Sequence, residues 1–194
     1  MMKKTILACL LAISLSACFG PGQAKRYFDI HPLGGKSRGL GPHFDKVLFL
    51  DRIDVEDLYN DFRILYRLSA TEINYYSYDF WAEKPDKLLR DALRRFMAEH
   101  RVFRRIELEL GKEDPDWVLR ARVHCLEEVD EAESWSARLA VDLVISEYKT
   151  DKVLAFWSFD RSLPLTRKDV TELPAALSRI LTEELEKFLL VLRE

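Results

Sequence analysis

The chain has 194 residues, 48% of them hydrophobic and 32% charged, which is enough to bury one hydrophobic core of ordinary size. Its formal net charge is −3, and loss of Lys3 and Lys4 with an N-terminal signal would bring the remaining chain to −5. Because a mildly acidic surface repels the phosphate backbone, composition argues against nucleic-acid binding.

The first 18 residues have the organisation of a bacterial lipoprotein signal. Lys3 and Lys4 form a charged start, residues 5–15 are apolar, and small residues at positions 16 and 17 precede Cys18. The apolar run is shorter than the roughly 20 residues of a membrane span. This pattern matches the lipobox, whose cysteine is acylated and becomes the first residue after cleavage. The sequence therefore predicts a signal peptide at residues 1–17 and a lipid anchor, including palmitate-type acyl chains, at Cys18.

The residue after the cysteine favours one of the two membranes. In the enterobacterial sorting rule an Asp at this position retains a lipoprotein in the inner membrane, whereas this chain has Phe19. We therefore expect the protein on the periplasmic face of the outer membrane, with the inner membrane as the alternative.

Residues 18–45 are predicted to be the lipidated N-terminus and a flexible tether. Six of the seven glycines and three of the seven prolines lie between positions 19 and 46, and such a segment buries little apolar surface. Fully extended, it would span on the order of 90 Å. The exception is the short apolar piece 27–30, which favours an edge strand.

Residues 46–194 are predicted to form a single periplasmic α+β domain. An apolar run at 47–53 has the length of a strand, and a hydrophobic alternation at 62–68 is typical of a half-buried strand. An acidic linker (54–61) separates these two segments, and a turn at 69–71 leads to another short strand at 73–76.

Two helices are predicted from apolar stripes with a period of 3.6 residues. The first begins at Pro85, which suits a first helical turn, and ends near His100. The second lies between Thr166 and the C-terminus, with Leu181 in its apolar stripe and Glu184 expected mostly outside.

Further strands are predicted between the first helix and the second. Residues 102–108 form one candidate, and three segments beginning at Trp117, Ala137 and Val153 alternate with a period of two. The acidic stretch Glu127–Glu133 is predicted to be a solvated turn. We therefore expect a two-layer α+β sandwich, with a mostly antiparallel sheet and two amphipathic helices on one face.

The sequence contains no motif that predicts catalysis, a cofactor or a metal. No P-loop, G-x-S-x-G or G-x-G-x-x-G occurs, and the four histidines lack metal-ligand spacing. His124 and Cys125 are neighbours, but on a strand their side chains would point to opposite faces and would not form a nucleophile–base pair. Cys125, left without a disulfide partner once Cys9 is removed and Cys18 acylated, is predicted to be a small core residue.

Two surface features leave alternatives open. A basic set is consistent with either a solvated helix face or a contact for anionic lipid or an acidic partner; it comprises Arg94, Arg95, Arg101, Arg104 and Arg105. The aromatic run 75–81 is consistent with a clamp that seats the first helix or with an exposed contact patch, because Tyr and Trp are enriched at binding hot spots.

The aromatic run carries a resemblance to a known family. Its residues are Tyr75, Tyr76, Tyr78, Trp81, Ala82, Glu83 and Pro85, followed by Leu88 and Leu89. Together with residues 64–67 and 72–73, and with the pair at 27–28, this pattern resembles the ABC-type transport auxiliary lipoproteins. That family includes the paraquat-inducible C lipoproteins that accompany MCE-domain lipid transporters. Lys84 departs from the second proline that many relatives have.

The resemblance implies a non-enzymatic subunit of a system that moves phospholipid between the inner and outer membranes and maintains the envelope. Its partners would be an MCE-domain protein and ABC transporter components, and a homo-oligomer is left open. The expected partner-binding residues are Tyr75, Tyr76, Tyr78, Trp81 and Pro85. Two alternatives are an outer-membrane assembly lipoprotein that accompanies a β-barrel and a periplasmic lipid-binding carrier.

Overall fold

A computed structural model describes residues 23–32, 44–131 and 134–193. The predicted lipidation site at Cys18 lies outside the described residues. The elements in chain order are β1 (Arg26–Phe28), β2 (Phe44–Leu50), β3 (Asp54–Val55), β4 (Arg63–Arg67), β5 (Ile73–Trp81), α1 (Pro85–Glu99), β6 (Phe103–Glu107), β7 (Trp117–Glu131), β8 (Ser134–Glu147), β9 (Val153–Pro164), a 3-10 helix (Val170–Glu172) and α2 (Leu173–Val191).

The long strand β7 is the centre of the sheet. On one side it pairs antiparallel with β8, which pairs antiparallel with β9. Its other side pairs in succession with β2, β3 and β4, all parallel to it. Residues 44–67 therefore run beside β7 as one interrupted strand. Beyond this strand lie β6 at one end, and β5 and then β1 at the other.

The sheet is mixed, which corrects the predicted mostly antiparallel arrangement. Five of the eight pairings in the described part of the chain are parallel, three of them on β7 alone. The α+β class itself is confirmed. The alternating pattern shows that one strand face is buried but carries no information about the direction of the neighbouring strand, so the parallel pairings were missed.

The two helices form as their apolar stripes predict. In α1 the buried side chains are Pro85, Leu88, Leu89, Ala92, Leu93, Phe96 and Met97. Pro85 is in the first turn, where a missing N–H costs no hydrogen bond. The helix ends before Arg101, whose φ of 49° is incompatible with its continuation. The buried side of α2 belongs to the same hydrophobic core as that of α1.

The segment after β1 makes hydrogen bonds to both helices. The guanidinium of Arg95 in α1 donates to the carboxylate of Asp29 at 3.2 Å and to the carbonyl of Ile30 at 3.2 Å. The backbone N–H of His31 donates to Ser178 Oγ of α2 at 3.0 Å. Ile30 between these contacts is fully buried. The packed core therefore includes a segment that precedes the predicted domain start at Lys46, and the edge strand expected at residues 27–30 is β1.

The sequence analysis predicted a solvated turn at 127–133, but the described part of this stretch, 127–131, is a strand. Strand β7 continues through Glu131, and Glu127 and Glu128 are both buried in it. A bulge at His124 shifts the register, since Val123 pairs with Val141 and Cys125 with Ala140. Beyond the bulge, the inward and outward positions of β7 are therefore shifted by one residue relative to the alternation before it.

Glu184 is a third buried carboxylate that the sequence analysis expected to lie outside. It accepts hydrogen bonds from Trp157 Nε1 at 3.1 Å, Arg161 Nη1 at 2.8 Å and Lys187 Nζ at 2.7 Å. Burial of a charge is tolerated when it is paired and hydrogen-bonded. These contacts fix α2 on β9.

Candidate functional site

The aromatic run lies in a strand, not in a loop before α1. Strand β5 covers residues 73–81 and therefore includes the whole run, where the sequence predicted a strand only as far as Tyr76. β5 pairs with β4 on one side and with the edge strand β1 on the other. Its pairing with β4 is interrupted, because Arg63 pairs with Phe80 but Leu65 already pairs with Tyr75. This irregularity gives successive tyrosines different surroundings.

The structure separates the five predicted partner-binding residues into two groups. Trp81 is only 2% exposed and Pro85 is buried, so neither side chain presents a surface. The backbone N–H of Trp81 donates to the carbonyl of Phe62 at 2.6 Å, which fixes the end of β5. Tyr75 and Tyr76 are half-buried, and Tyr78 is 41% exposed. The clamp interpretation therefore describes Trp81, and the contact-patch interpretation remains open for the tyrosines.

The tyrosines line a polar groove of about 410 Å³, which we call the tyrosine groove. Its walls come from β1, β4, β5 and the loop before α2. The residues that line it are Gln23, Arg26, Tyr66, Tyr75, Tyr76, Ser77, Tyr78, Asp79, Lys168, Asp169 and Val170. The rings of Tyr66 and Tyr76 are 4.8 Å apart. Four tyrosines from neighbouring strands thus meet in one concave surface.

Charged groups at the groove are held in pairs. Arg26 Nε donates to the buried carboxylate of Asp79 at 2.6 Å. Lys168 Nζ lies 2.9 Å from Asp130 Oδ1 and 5.1 Å from the centroid of the Trp135 ring. The groove therefore has a rigid charged rim around an aromatic lining.

Glu128 supports the groove from beneath. Its Oε1 accepts a hydrogen bond from Tyr76 Oη at 2.8 Å and another from Trp135 Nε1 at 2.6 Å, and Oε2 has no partner among the described residues. Burial raises the pKa of this carboxyl above its usual range, against the lowering effect of the two donors. Burial and the nearby carboxylate also raise the pKa of Tyr76. The Tyr76 hydroxyl is therefore a fixed neutral donor.

A second buried carboxylate network lies around Glu127. Its carboxylate accepts hydrogen bonds from Arg67 Nε at 2.9 Å and from Tyr59 Oη at 3.1 Å, and Arg138 Nη1 lies 3.6 Å away. The hydrogen bond to Glu127 raises the pKa of Arg67. This network joins β4 and the turn after β3 to β7, and its role is structural.

Cys125 and His124 are placed apart, as predicted. Cys125 is buried, and desolvation raises the pKa of its thiol to about 12, so it carries no thiolate at neutral pH. His124 is half-exposed, with Nε2 2.7 Å from Asp142 Oδ2 and Nδ1 3.4 Å from Glu56 Oε1. The Asp142 hydrogen bond raises the pKa of His124. The prediction that Cys125 is a core residue is confirmed.

The basic set is largely neutralised by neighbouring carboxylates. Arg94 and Arg95 both pair with Asp91, at 2.6 and 3.2 Å. Arg104 lies 3.3 Å from Asp45, and Arg105 lies 2.9 Å from Glu107. These pairs favour a solvated face with ordinary ion pairs over a site for an anionic partner.

Within the three described ranges, no three His, Cys, Asp or Glu side chains come together as a metal site. In the same ranges, no helix combines the length and the apolar character needed to cross a bilayer. The geometry thus defines a class: an α+β domain whose distinctive surface is an aromatic groove beside a sheet edge.

Comparison with known proteins places this fold in a family. The model for the ABC-type transport auxiliary lipoprotein component matches residues 36–187, so the chain belongs to that family. Protein XCC0632 from Xanthomonas campestris, of family DUF330, is 16% identical with a TM-score of 0.73, over 87% of this chain and 96% of its own. Another solved structure, titled only as an uncharacterized protein, is 14% identical with a TM-score of 0.64, over 84% and 94%. These structural likenesses concern the fold alone. No curated protein matches significantly.

Proposed function

We propose that this protein is a lipid-anchored, non-enzymatic auxiliary component of an ABC-type, MCE-domain lipid transport system. It is held at the periplasmic face of the outer membrane and takes part in lipid traffic between the two membranes by docking on other proteins. The MCE-domain component binds in the tyrosine groove, and ATP hydrolysis belongs to a separate subunit.

The tyrosine groove carries this proposal. Tyrosine contributes large contact area at low conformational cost and is enriched at binding hot spots. Tyr78 offers an exposed ring, while Tyr76 is fixed by Glu128 and lies against Tyr66. A preorganised aromatic surface of this kind loses little entropy on binding. Family membership supports an association with ABC transport, and the lipobox supports attachment to a membrane.

Site-specific crosslinking in membranes tests the proposal. A photo-crosslinking amino acid replaces Tyr78 in one variant of the full chain and Phe156 in another. Phe156 is a matched control because it is aromatic, 55% exposed and lies on β9, at the other side of the sheet. We expect Tyr78 to yield a crosslink to an MCE-domain protein identified by mass spectrometry, and Phe156 to yield none.

The same experiment can contradict the proposal. Crosslinks from Tyr78 only to a β-barrel protein would favour the assembly-lipoprotein alternative, and crosslinks only to phospholipid would favour the carrier alternative. An MCE-domain crosslink of equal yield from both positions would place the contact outside the tyrosine groove.

A further inference from the structure

The place where the chain enters the fold sets the distance between the domain and its membrane. Strand β1 begins at Arg26 and is hydrogen-bonded into the sheet. If Cys18 carries the acyl chains, only seven residues (19–25) lie between the anchor and the first strand. The eight Cα-to-Cα steps from Cys18 to Arg26 span at most about 28 Å, which replaces the reach of about 90 Å calculated for a tether ending at residue 45. The edge of the sheet formed by β1 is therefore held close to the bilayer surface.

The surface exposed at this edge is aromatic and basic. Tyr27 on β1 pairs in register with Phe80 on β5, which in turn pairs with Arg63 on β4. The ring centroids of Tyr27 and Phe80 are 5.8 Å apart, and Tyr27 is 63% exposed. Lys25 Nζ lies 5.2 Å from the centroid of the Phe80 ring. The Arg63 guanidinium lies 4.3 Å from the centroid of the Tyr75 ring. We call Lys25, Tyr27, Arg63, Tyr75 and Phe80 the edge patch.

We propose that the edge patch rests on the lipid bilayer, so that the domain is oriented by a protein–membrane contact in addition to its acyl anchor. This inference depends on the lipid anchor of the proposed function. Tyrosine rings are enriched at membrane–water interfaces because their apolar body and polar tip suit the headgroup region. Lysine and arginine side chains extend to the same depth and interact with lipid phosphates.

Charge favours a bilayer over an acidic protein surface as the occupant. Lys25 makes no ion pair with any residue the structure describes, whereas Arg63 is paired with Asp61 at 2.8 Å. The edge patch is thus weakly basic on a chain with a net charge of −3. A short anchor also keeps this edge beside the membrane at all times, which favours even a weak contact by effective concentration.

The edge patch and the tyrosine groove share Tyr75 and otherwise consist of different residues. In the register of β1 and β5, Arg26 pairs with Asp79 and Tyr27 with Phe80. Because successive residues of a strand point to opposite faces, the Arg26–Asp79 pair of the groove lies on the face opposite Tyr27 and Phe80. Lipid at Tyr27 and Phe80 and a protein at the Arg26–Asp79 pair would therefore approach this edge from opposite faces.

Fluorescence quenching on reconstituted full-length lipoprotein tests this orientation. Tyr27→Cys and, in a separate protein, Phe156→Cys are labelled with an environment-sensitive fluorophore. Buried Cys125 has a raised thiol pKa and does not compete for the label. The proteins are placed in vesicles of phosphatidylethanolamine and phosphatidylglycerol, with or without a lipid that carries a nitroxide on its headgroup. The residue-156 label lies five strand spacings away, or roughly 24 Å.

We expect the nitroxide to quench the label at position 27 and its emission to shift to the blue, with no change at position 156. A label at Lys25→Cys provides the same readout if Tyr27→Cys does not fold. Vesicle flotation of the unlabelled protein is measured in parallel. Flotation without quenching at position 27, or with equal quenching at 156, would refute the orientation but leave the anchor standing. Failure to float would remove the anchor itself, and with it both the proposed membrane attachment and this contact.

Discussion

Trp81 and Tyr78 lie in the same strand, but one side chain is buried and the other is exposed. Trp81 is 2% exposed and is among the largest fully buried side chains, so Trp81→Ala removes a core residue. Truncation of a buried aromatic to Ala typically costs about 3–5 kcal/mol. For a domain of this size each kcal/mol lowers Tm by about 2–4 °C, so we expect a loss of roughly 10 °C. Tyr78→Ala, at a position 41% exposed, should change stability by no more than about 0.5 kcal/mol.

The two variants separate stability from docking when both properties are measured. Thermal and urea unfolding report stability, and capture of the MCE-domain partner reports docking. If Tyr78 is a hot spot worth about 2 kcal/mol, Tyr78→Ala weakens capture roughly 30-fold while its Tm is unchanged. An unchanged Tm for Trp81→Ala would show that this tryptophan does not support the core. Normal capture by both variants would show that the aromatic run is not the docking surface.

Three further predictions concern the buried groups. Leu181→Ala in α2 should cost about 3–5 kcal/mol in urea unfolding because Leu181 is 2% exposed, and an unchanged midpoint would mean that α2 is not packed. Arg67→Met should cost about 3–5 kcal/mol because it leaves the carboxylate of Glu127 buried with less charge compensation; a loss below about 1 kcal/mol would contradict this network. The raised pKa of Glu128 means that the native state holds this proton more tightly than the unfolded state, so its contribution to stability is largest below pH 4.5 and is lost as pH rises through the native value. Glu128→Gln removes that dependence, and pH curves of the unfolding midpoint that run parallel for variant and wild type would show otherwise.

Features that depend on local periodicity could be predicted from the sequence. The apolar stripe of α1 and the start at Pro85 gave the helix to within one residue at its end. The alternation after Trp117 gave the first half of β7 and the burial of Cys125. These signals lie within a few residues of each other, so no knowledge of the tertiary fold was required.

The buried carboxylates could not be predicted in this way. The sequence analysis placed Glu127 and Glu128 in a solvated acidic turn, because charged residues are rarely fully buried unless they are paired. Their partners, Arg67 and Tyr76, are 60 and 52 residues away in the chain. The antiparallel partner strand offered one signal. The apolar alternation of β8 begins near Ala137, and its early residues need partners on β7, which are residues 127–131.

The sequence indicated only part of the tyrosine groove. The run containing Tyr76 and Tyr78 was singled out, but Tyr66 and Lys168 were not, since they join the groove from β4 and from the loop before α2. Strand pairing at long range brings these residues together, and a single sequence does not record it.

The order in which β7 acquires its partners has a consequence for how the protein folds. Its pairing with β8, and the pairing of β8 with β9, connect neighbouring segments, whereas Val55 reaches Val123 and Tyr66 reaches Glu128 across more than sixty intervening positions. Contacts of long sequence separation slow folding because loop closure must precede them. We expect the C-terminal meander and α2 to nucleate first and the N-terminal strands to be added last. The half of the molecule that is synthesised first would then wait, unpaired, for the half that follows it.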